Sequence, residues 1–393
     1  MVSQLGFWGQ YVGVGWEART LTSSDFLVAL AFAAQWLPAL LLSSLAGVFA
    51  DRYDRRKLVL YGNVAMVLPP LAVGLLIQLH AISMTRLIAL VFLGGVGQAF
   101  TQPAASAFVS ALVPMEDLHS AVALNAGMSN STRVIGPTLA GGIIAAWGVA
   151  WGFHINAVSF LAVAGACAAC SIRPTAAPKA PTSVLVELKL GLRYTRENKA
   201  VGRLLLLMAF SAFFIMHAAL MPIFARDVLH GGVSTYGLLS AAPGLGTVGA
   251  AWLTTALGTA RQQRAMLVGS SIVLSIAVTT FAISRHVPLS VVALGGYGFA
   301  WMILTTTVNT MLIAATDDEY RGRVMGVYMM CAIGAFPINS VVGGLLANVI
   351  GAPGTVLLCG ISLSVCSIVF YASGSLSVIR GRTEHVSVMV RER

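Results

Sequence analysis

Charge is scarce in this chain, and acidic charge is scarcer still. Charged residues make up 10% of its 393 positions and hydrophobic residues 57%, against about 25% charged in ordinary soluble domains. That balance excludes a soluble globular protein. The 14 Asp and Glu residues all lie in or near predicted loops and segment ends, so no buried carboxylate relay is legible. The five cysteines, Cys167, Cys170, Cys331, Cys359 and Cys366, sit inside apolar runs rather than in loops, which argues against a disulfide framework. Cys167-Ala-Ala-Cys170 has redox or metal-like spacing but no His or acidic neighbour, and reads as packing. A Walker phosphate loop, a zinc cluster and a nucleophile triad are all missing, so the sequence points to no enzyme, no cofactor and no metal. A basic region ahead of Leu5, Phe7 and Trp8 is missing too. No cleavable signal peptide is therefore read, and the first segment is expected to stay in the protein.

What the chain has in quantity is long apolar runs. A membrane helix needs about 20 predominantly apolar residues to cross roughly 30 Å of hydrocarbon. Such runs cover residues 26–50, 58–79, 87–113, 121–147 and 149–172, then 204–225, 236–257, 266–284, 289–315, 324–350 and 355–379. A first, shorter segment over 1–16 gives only about 24 Å of helix before Glu17 and Arg19 follow; either the bilayer adapts there or the start is truncated. Residues 173–203 interrupt the series with Pro174, Pro178, Pro181 and a set of Lys and Arg residues. The organisation expected is all-α and polytopic, with about twelve transmembrane helices. It comprises a six-helix bundle over 1–172, a linker over 173–203, a second six-helix bundle over 204–379 and a tail over 380–393. Within the linker, Val184, Leu185, Leu188, Leu192 and Tyr194 alternate with Glu187, Lys189, Arg193 and Arg196 in the manner of an amphipathic interfacial helix.

The net charge of +10 suggests nucleic acid until its placement is read. Of the 24 Lys and Arg residues, only Arg19, Arg86, Arg226 and Arg285 fall in loops of one side, and Arg133 falls within a span. The rest fall in the loops of the other side, the linker and the tail. By the positive-inside rule that side is cytoplasmic, both termini lie on it, and the basic charge belongs to a bilayer rather than to nucleic acid. The two halves also repeat each other: Glu116-Asp117-Leu118 precedes Gly136-Pro137 and Gly141-Gly142 as Asp318-Glu319-Tyr320 precedes Phe336-Pro337 and Gly343-Gly344. Such a repeat places a substrate path near mid-membrane.

Between the second and third runs stands Gly47-Val48-Phe49-Ala50-Asp51-Arg52-Tyr53-Asp54-Arg55-Arg56-Lys57. This stretch resembles the signature loop of major facilitator superfamily transporters, with Asp54 in place of the usual glycine; Asp tolerates a left-handed backbone better than most residues. The Gln10, Gly15 and Trp16 pattern and Tyr320-Arg321-Gly322-Arg323-Val324-Met325-Gly326 are similar to the bacterial branch that holds enterobactin exporters and macrolide efflux proteins. The resemblance covers nearly the whole chain. It implies a major facilitator fold of two pseudo-symmetric six-helix halves in the cell membrane, exporting a hydrophobic or amphipathic small molecule, with a proton as coupling partner. It maps conformational roles onto Gly47, Asp51, Arg52, Arg55 and Arg56. Gly136-Pro137 followed by Ala140, Gly141 and Gly142 resembles the fifth-helix motif of antiporters in the same superfamily, with Ala140 where the first glycine of the pair is usual.

Substrate or coupling groups are expected among the few polar residues of the spans. Gln98 and Gln102 stand one turn apart on the fourth, Gln4 and Gln10 accompany Trp8 and Trp16 on the first, and Glu17 ends that segment. Arg133 lies roughly 20 Å into the fifth span and must face protein or water; Asn125 and Ser129 share its face, which serves either helix packing or the path. Since related transporters line their path with the first, fourth, seventh and tenth segments, the resemblance adds His217, Trp301 and Asn309. The arginine that many proton-coupled relatives carry on the fourth segment is missing; Gly94, Gly95 and Gly97 occupy that region. An ion-independent facilitator or importer, and a non-transporting receptor or scaffold of the same fold, stay open as alternatives. Gly244-Leu245-Gly246-Thr247-Val248-Gly249 spells a dinucleotide fingerprint but lies in an apolar run without a preceding strand, and is read as helix packing.

Overall fold

In a bilayer every backbone N–H and C=O must find its partner inside the protein, and a helix does so within one run of chain. The apolar runs obey this rule in the computed structural model, which describes residues 2–111, 117–170, 184–215, 217–256 and 260–372. Among the described residues there are helices and no strands. The first six are α1 (Val2–Leu21), α2 (Asp25–Arg52), α3 (Arg55–Gln78), α4 (Met84–Ala111), α5 (Leu118–Trp147) and α6 (Val149–Ala169). Then come the linker helix α7 (Val184–Glu197), α8 (Lys199–Phe213), α9 (His217–Ile223), α10 (Val233–Ala256), α11 (Ala260–Ile283), α12 (Val287–Ala315), α13 (Arg321–Ile333) and α14 (Ala335–Ala372).

Two of the expected spans are broken. The seventh is split into α8 and α9 and ends in a π turn over Phe224–Val228. Pro222, inside α9, offers no N–H and disturbs the ladder just ahead of that turn. The eleventh is interrupted at Gly334 and passes into the twelfth at Gly351, whose φ of +75° no β-carbon residue adopts cheaply. With α8 and α9 counted as one crossing, α13 and the part of α14 before Gly351 as another, and the rest of α14 as the last, the described residues give twelve spans beside the linker helix. Eight of the helical stretches are long and apolar enough to cross a membrane by composition alone. The amides of α1 and the Asn125, Ser129 and Arg133 face of α5 lower the apolarity of those two helices.

Contacts divide the chain into two compact units. The first holds Met1–Pro181 with Ala218–Ala241 and Gly343–Ala352; the second holds Thr182–His217, Ala242–Val342 and Pro353–Arg393. Two short pieces of the second half of the sequence therefore cluster with the first half. Small residues explain the attachment: a β-carbon on Gly237 would lie 2.6 Å from the Pro137 carbonyl oxygen, and one on Gly344 would lie 2.6 Å from the Ala29 methyl. In the second unit, Gly246 and Gly298 let α10 and α12 touch backbone to backbone, Gly246 against Gly295 and Gly298 against Pro243. The glycine-rich stretch of α10 is thus a helix-packing surface. The linker helix α7 is fastened to the same unit. The Tyr194 hydroxyl donates to Asp317 Oδ2 at 2.9 Å, and its ring stacks on Tyr320 at 4.6 Å.

Candidate functional site

Helix α1 has glycines at 6, 9 and 13, and these keep one face free of side chains. Gly9 meets the Gly152 backbone of α6, where a β-carbon would sit 2.9 Å from the Gly152 carbonyl oxygen, and Gly13 lies against Phe153. Such close approach brings amides of the two helices into register: Asn156 Nδ2 donates to Gln10 Oε1 at 2.6 Å. On the other flank of α1, Gln4 Nε2 donates to Ser129 Oγ at 2.8 Å and Gln4 Oε1 accepts from Thr132 Oγ1 at 2.8 Å. Amides inside a bilayer protein are held where their hydrogen bonds can be met. The first helix is therefore fixed on both sides by polar contacts, and the apolar rings of Phe7, Trp8 and Trp36 fill the space between.

These helices enclose a cavity of about 550 Å³ within the first unit. Gln10, Gln98, Gln102 and Arg133, four of the residues singled out in the sequence, all line it. Arg133 is the one charged side chain among the described lining residues, and no carboxylate is among them. Its guanidinium has no hydrogen bond or ion pair to any described residue. Pro137 stands one turn on and has no N–H to offer the Arg133 carbonyl, so a second polar group is freed at the same level of α5. On α4, Gly95 packs so closely on α2 that a β-carbon would lie 2.5 Å from the Gln35 carbonyl oxygen. An arginine does not fit there. The cavity's cation comes from the fifth helix instead.

The other expected residues lie elsewhere. Glu17 is buried at 7% exposure but does not line the cavity. It sits between Gly15, which faces the Tyr236 hydroxyl, and Arg19. Arg19 anchors a polar cluster at the end of α1: its Nε donates to Asp227 Oδ2 at 2.6 Å, its Nη1 to Asp25 Oδ1 at 3.3 Å, and its carbonyl accepts from Arg226 Nη1 at 3.0 Å. The Arg19 and Asp25 side chains are 13% and 14% exposed, so that pair is largely desolvated, while Asp227, at 36%, keeps contact with the surroundings. Nearby, Asn348 Oδ1 accepts from the Phe26 N–H at 3.2 Å. Trp301 and Asn309 belong to α12 in the second unit, where the Tyr328 hydroxyl lies beside Asn309 and donates to the Thr305 carbonyl at 3.1 Å. His217 opens α9 at the break in the seventh span; its side chain lies outside the described residues, as do those of Gly47, Asp51, Arg52 and Arg55.

At the opposite end of α2, Arg56 reaches α6. Its Nε donates to the Cys167 carbonyl at 3.2 Å and its Nη2 to the Ala168 carbonyl at 2.6 Å. A cation thus caps the last turn of α6, where unpaired carbonyls concentrate negative charge. Asp54 does not adopt the left-handed backbone expected from its place in the loop. At φ −57° it is the N-cap of α3, accepting from the Arg56 and Lys57 N–H groups at 2.8 and 3.3 Å. An aspartate can satisfy those orphan donors directly, so the turn has no need of a glycine conformation. Cys167 lies in a cluster with Val59, Ala104 and Phe108, and Cys170 packs against it. Replacing Arg56 by Gln is expected to lower stability by about 1 kcal/mol. Thermal unfolding of the purified protein reads this, and an unchanged midpoint would show the cap to be dispensable.

Sequence reasoning passed over Gln35, Asn63 and Asn156, which also line the cavity. Each is a single amide in an apolar run, and that isolation was the available signal. It also passed over the Arg19 cluster with Asp227, whose partners are 208 positions apart. Gly136 and Gly141 of the fifth-helix motif pack on Trp8 and on Gly237 of α10 respectively.

Comparison with known proteins places this geometry in company. A family model described as transmembrane secretion effector matches residues 1–381. The chain is 23% identical over 359 residues to macrolide efflux protein A of Streptococcus pyogenes, a match covering 88% of this chain and 86% of that protein. It is 25% identical over 373 residues to the staphyloferrin A transporter of Staphylococcus aureus, covering 93% and 92%. Among solved structures, it resembles a bacterial homolog of the human lysosomal transporter Spinster in an inward-facing, unoccupied conformation. The TM-score is 0.71 at 14% identity, with 97% of this chain and 96% of that one covered.

Proposed function

The chain belongs to the transmembrane secretion effector family of the major facilitator superfamily, and from that membership we propose that it exports a hydrophobic or amphipathic small molecule by alternating access, exchanging it for protons. The observation that carries this reading is the cavity of α1 to α6. It combines aromatic walls with unspent hydrogen-bonding groups inside a bilayer-spanning bundle, the combination a site for an amphipathic ligand requires. The efflux for which macrolide efflux protein A is named supports the outward direction. The distribution of Lys and Arg supports a cytoplasmic-membrane orientation with both termini inside.

In this reading three places do the work. The cavity binds cargo. The Arg19, Asp25 and Asp227 cluster holds the outer end of the first unit shut and parts when the cargo leaves. The signature loop does the corresponding work at the cytoplasmic end: Arg56 caps α6, and Asp51, Arg52 and Arg55 are assigned to contacts that form and break as the two halves of the transporter rock. Glu17 is the proton carrier, because a carboxyl group whose access to water changes with the state of the gate can exchange a proton in each cycle.

The test is transport by inverted membrane vesicles loaded at acidic pH and offered a panel of amphipathic dyes at neutral pH. Accumulation is expected only while the gradient lasts, and collapsing it with an ionophore should release the dye. Movement indifferent to the gradient would replace antiport by facilitation. Verified insertion with no movement of any panel member would remove the exporter reading.

A further inference from the structure

The cavity also states what kind of cargo it prefers. Arg133 is the single charged side chain among the described lining residues, it stands unpaired, and no carboxylate balances it. A guanidinium near mid-membrane is costly when its charge is unanswered. Water offsets part of that cost, and a ligand anion offsets more, since the planar fork matches a carboxylate through two parallel hydrogen bonds. A cationic ligand would meet the same arginine with nothing in the wall to attract it.

Two further groups are unspent. Gln35 is 3% exposed, lines the cavity, and its Oε1 is buried without a hydrogen-bond partner among the described residues. An acceptor left unpaired in such a place loses its water without compensation, so a ligand N–H or O–H that reached it would be favoured. Gln98, on α4, likewise has no hydrogen bond to a described residue and can serve either as donor or as acceptor. Other amides of the wall are already engaged: Gln4 with Ser129 and Thr132, Gln10 with Asn156, and Asn63 with the Val59 carbonyl. Arg133, Gln35 and Gln98 thus present a cation, a buried acceptor and an ambivalent amide beside the rings of Phe7, Trp8 and Trp36.

We propose that the cavity of the first unit is selective for amphipathic carboxylates bearing a hydrogen-bond donor, with Arg133 binding the carboxylate and Gln35 accepting from the donor. The proposal takes the cavity to be the cargo site and in that respect rests on the exporter reading, but it concerns equilibrium binding and can be tested without transport.

Three probes share one fluorescent body that carries an aromatic amine as donor: aminomethylcoumarin acetate, its neutral methyl ester, and its cationic aminoethyl amide. Binding to the full-length protein in lipid nanodiscs is read by energy transfer from tryptophan, with Trp8 and Trp36 in the cavity wall. The carboxylate is expected to bind about tenfold tighter than the ester, and the cationic amide more weakly than either. Arg133→Gln should weaken the carboxylate about tenfold and leave the ester unchanged, while Arg133→Lys, which keeps the charge without the fork, should fall between. Tighter or equal binding of the cationic probe, absence of binding by the carboxylate, or a carboxylate-to-ester ratio untouched by the Arg133 variants would each overturn the proposal. The wild-type ratios decide the matter even if one variant fails to fold. Vesicle transport of the cationic probe without carboxylate preference would leave export standing and remove this selectivity. Carboxylate-selective binding without transport would do the reverse.

Discussion

Vesicles carrying Glu17→Gln are expected to lose accumulation driven by a pH gradient, down to the level of vesicles without the protein, while exchange of dye across the membrane in the absence of a gradient persists. The expectation follows from the position of one carboxyl group. Among the described residues Glu17 is the only Asp, Glu, Lys, Arg or His that is buried, and it makes no hydrogen bond or ion pair there. A charge so placed is expensive to keep, and intramembrane ionisable groups of this kind mark ion pathways. Glu17 lies two residues from Arg19, whose ion pairs with Asp25 and Asp227 tie the end of α1 to its neighbours. Parting of those pairs would bring water to Glu17, and their closure would withdraw it. Gln keeps the shape and removes the titration. Retained exchange with lost accumulation would identify Glu17 as the coupling residue. Unimpaired accumulation would show that the proton, if one is used, is carried elsewhere, and loss of both activities would point to a structural role.

Gly237→Leu is the second change with a large expected effect. Where α5 meets α10, Gly141 and Gly237 face each other, and a β-carbon on Gly237 would already lie 2.6 Å from the Pro137 carbonyl oxygen and 2.9 Å from the Gly141 α-carbon. These neighbours are backbone and cannot step aside, so a leucine must separate the helices, at a cost of about 2–3 kcal/mol in stability. Transport is expected to fall to background as well, because displacing α5 displaces Ser129, Thr132 and Arg133, which form part of the cavity wall. Gly142, the next residue on α5, provides the control: nothing lies within 4 Å of its added β-carbon. Gly142→Leu should change stability by no more than about 0.5 kcal/mol, with transport near wild type. Equal effects from the two substitutions, measured by thermal unfolding and dye transport on the same preparations, would show that the close contact of α5 with α10 is not what the leucine disturbs.

Much of the fold was legible in advance because a bilayer acts on local quantities. A run of apolar residues long enough to cross hydrocarbon has to be a helix, whatever lies around it. The number of crossings and the helix of the linker could therefore be read one segment at a time. Family membership was legible for a similar reason, since Gly47 to Lys57 and Gly136 to Gly142 are contiguous stretches whose chemistry does not depend on distant partners. Where local reasoning used analogy it slipped: Asp54 was assigned a glycine-like conformation, whereas it caps α3 through its side chain.

The site was only half legible. The sequence by itself determined that Gln10, Gln98, Gln102 and Arg133 are too polar for lipid and must face something else. It could not say that they face the same cavity, that Gln35 joins them with an unpaired oxygen, or that Glu17 is sealed away from them. Those facts depend on pairs such as Gln10 with Asn156 and Arg19 with Asp227, separated by 146 and 208 positions. Only the tertiary structure decided them, because side-chain polarity tells a helix which face to turn from lipid, while the close approach of small residues on distant helices selects what that face meets.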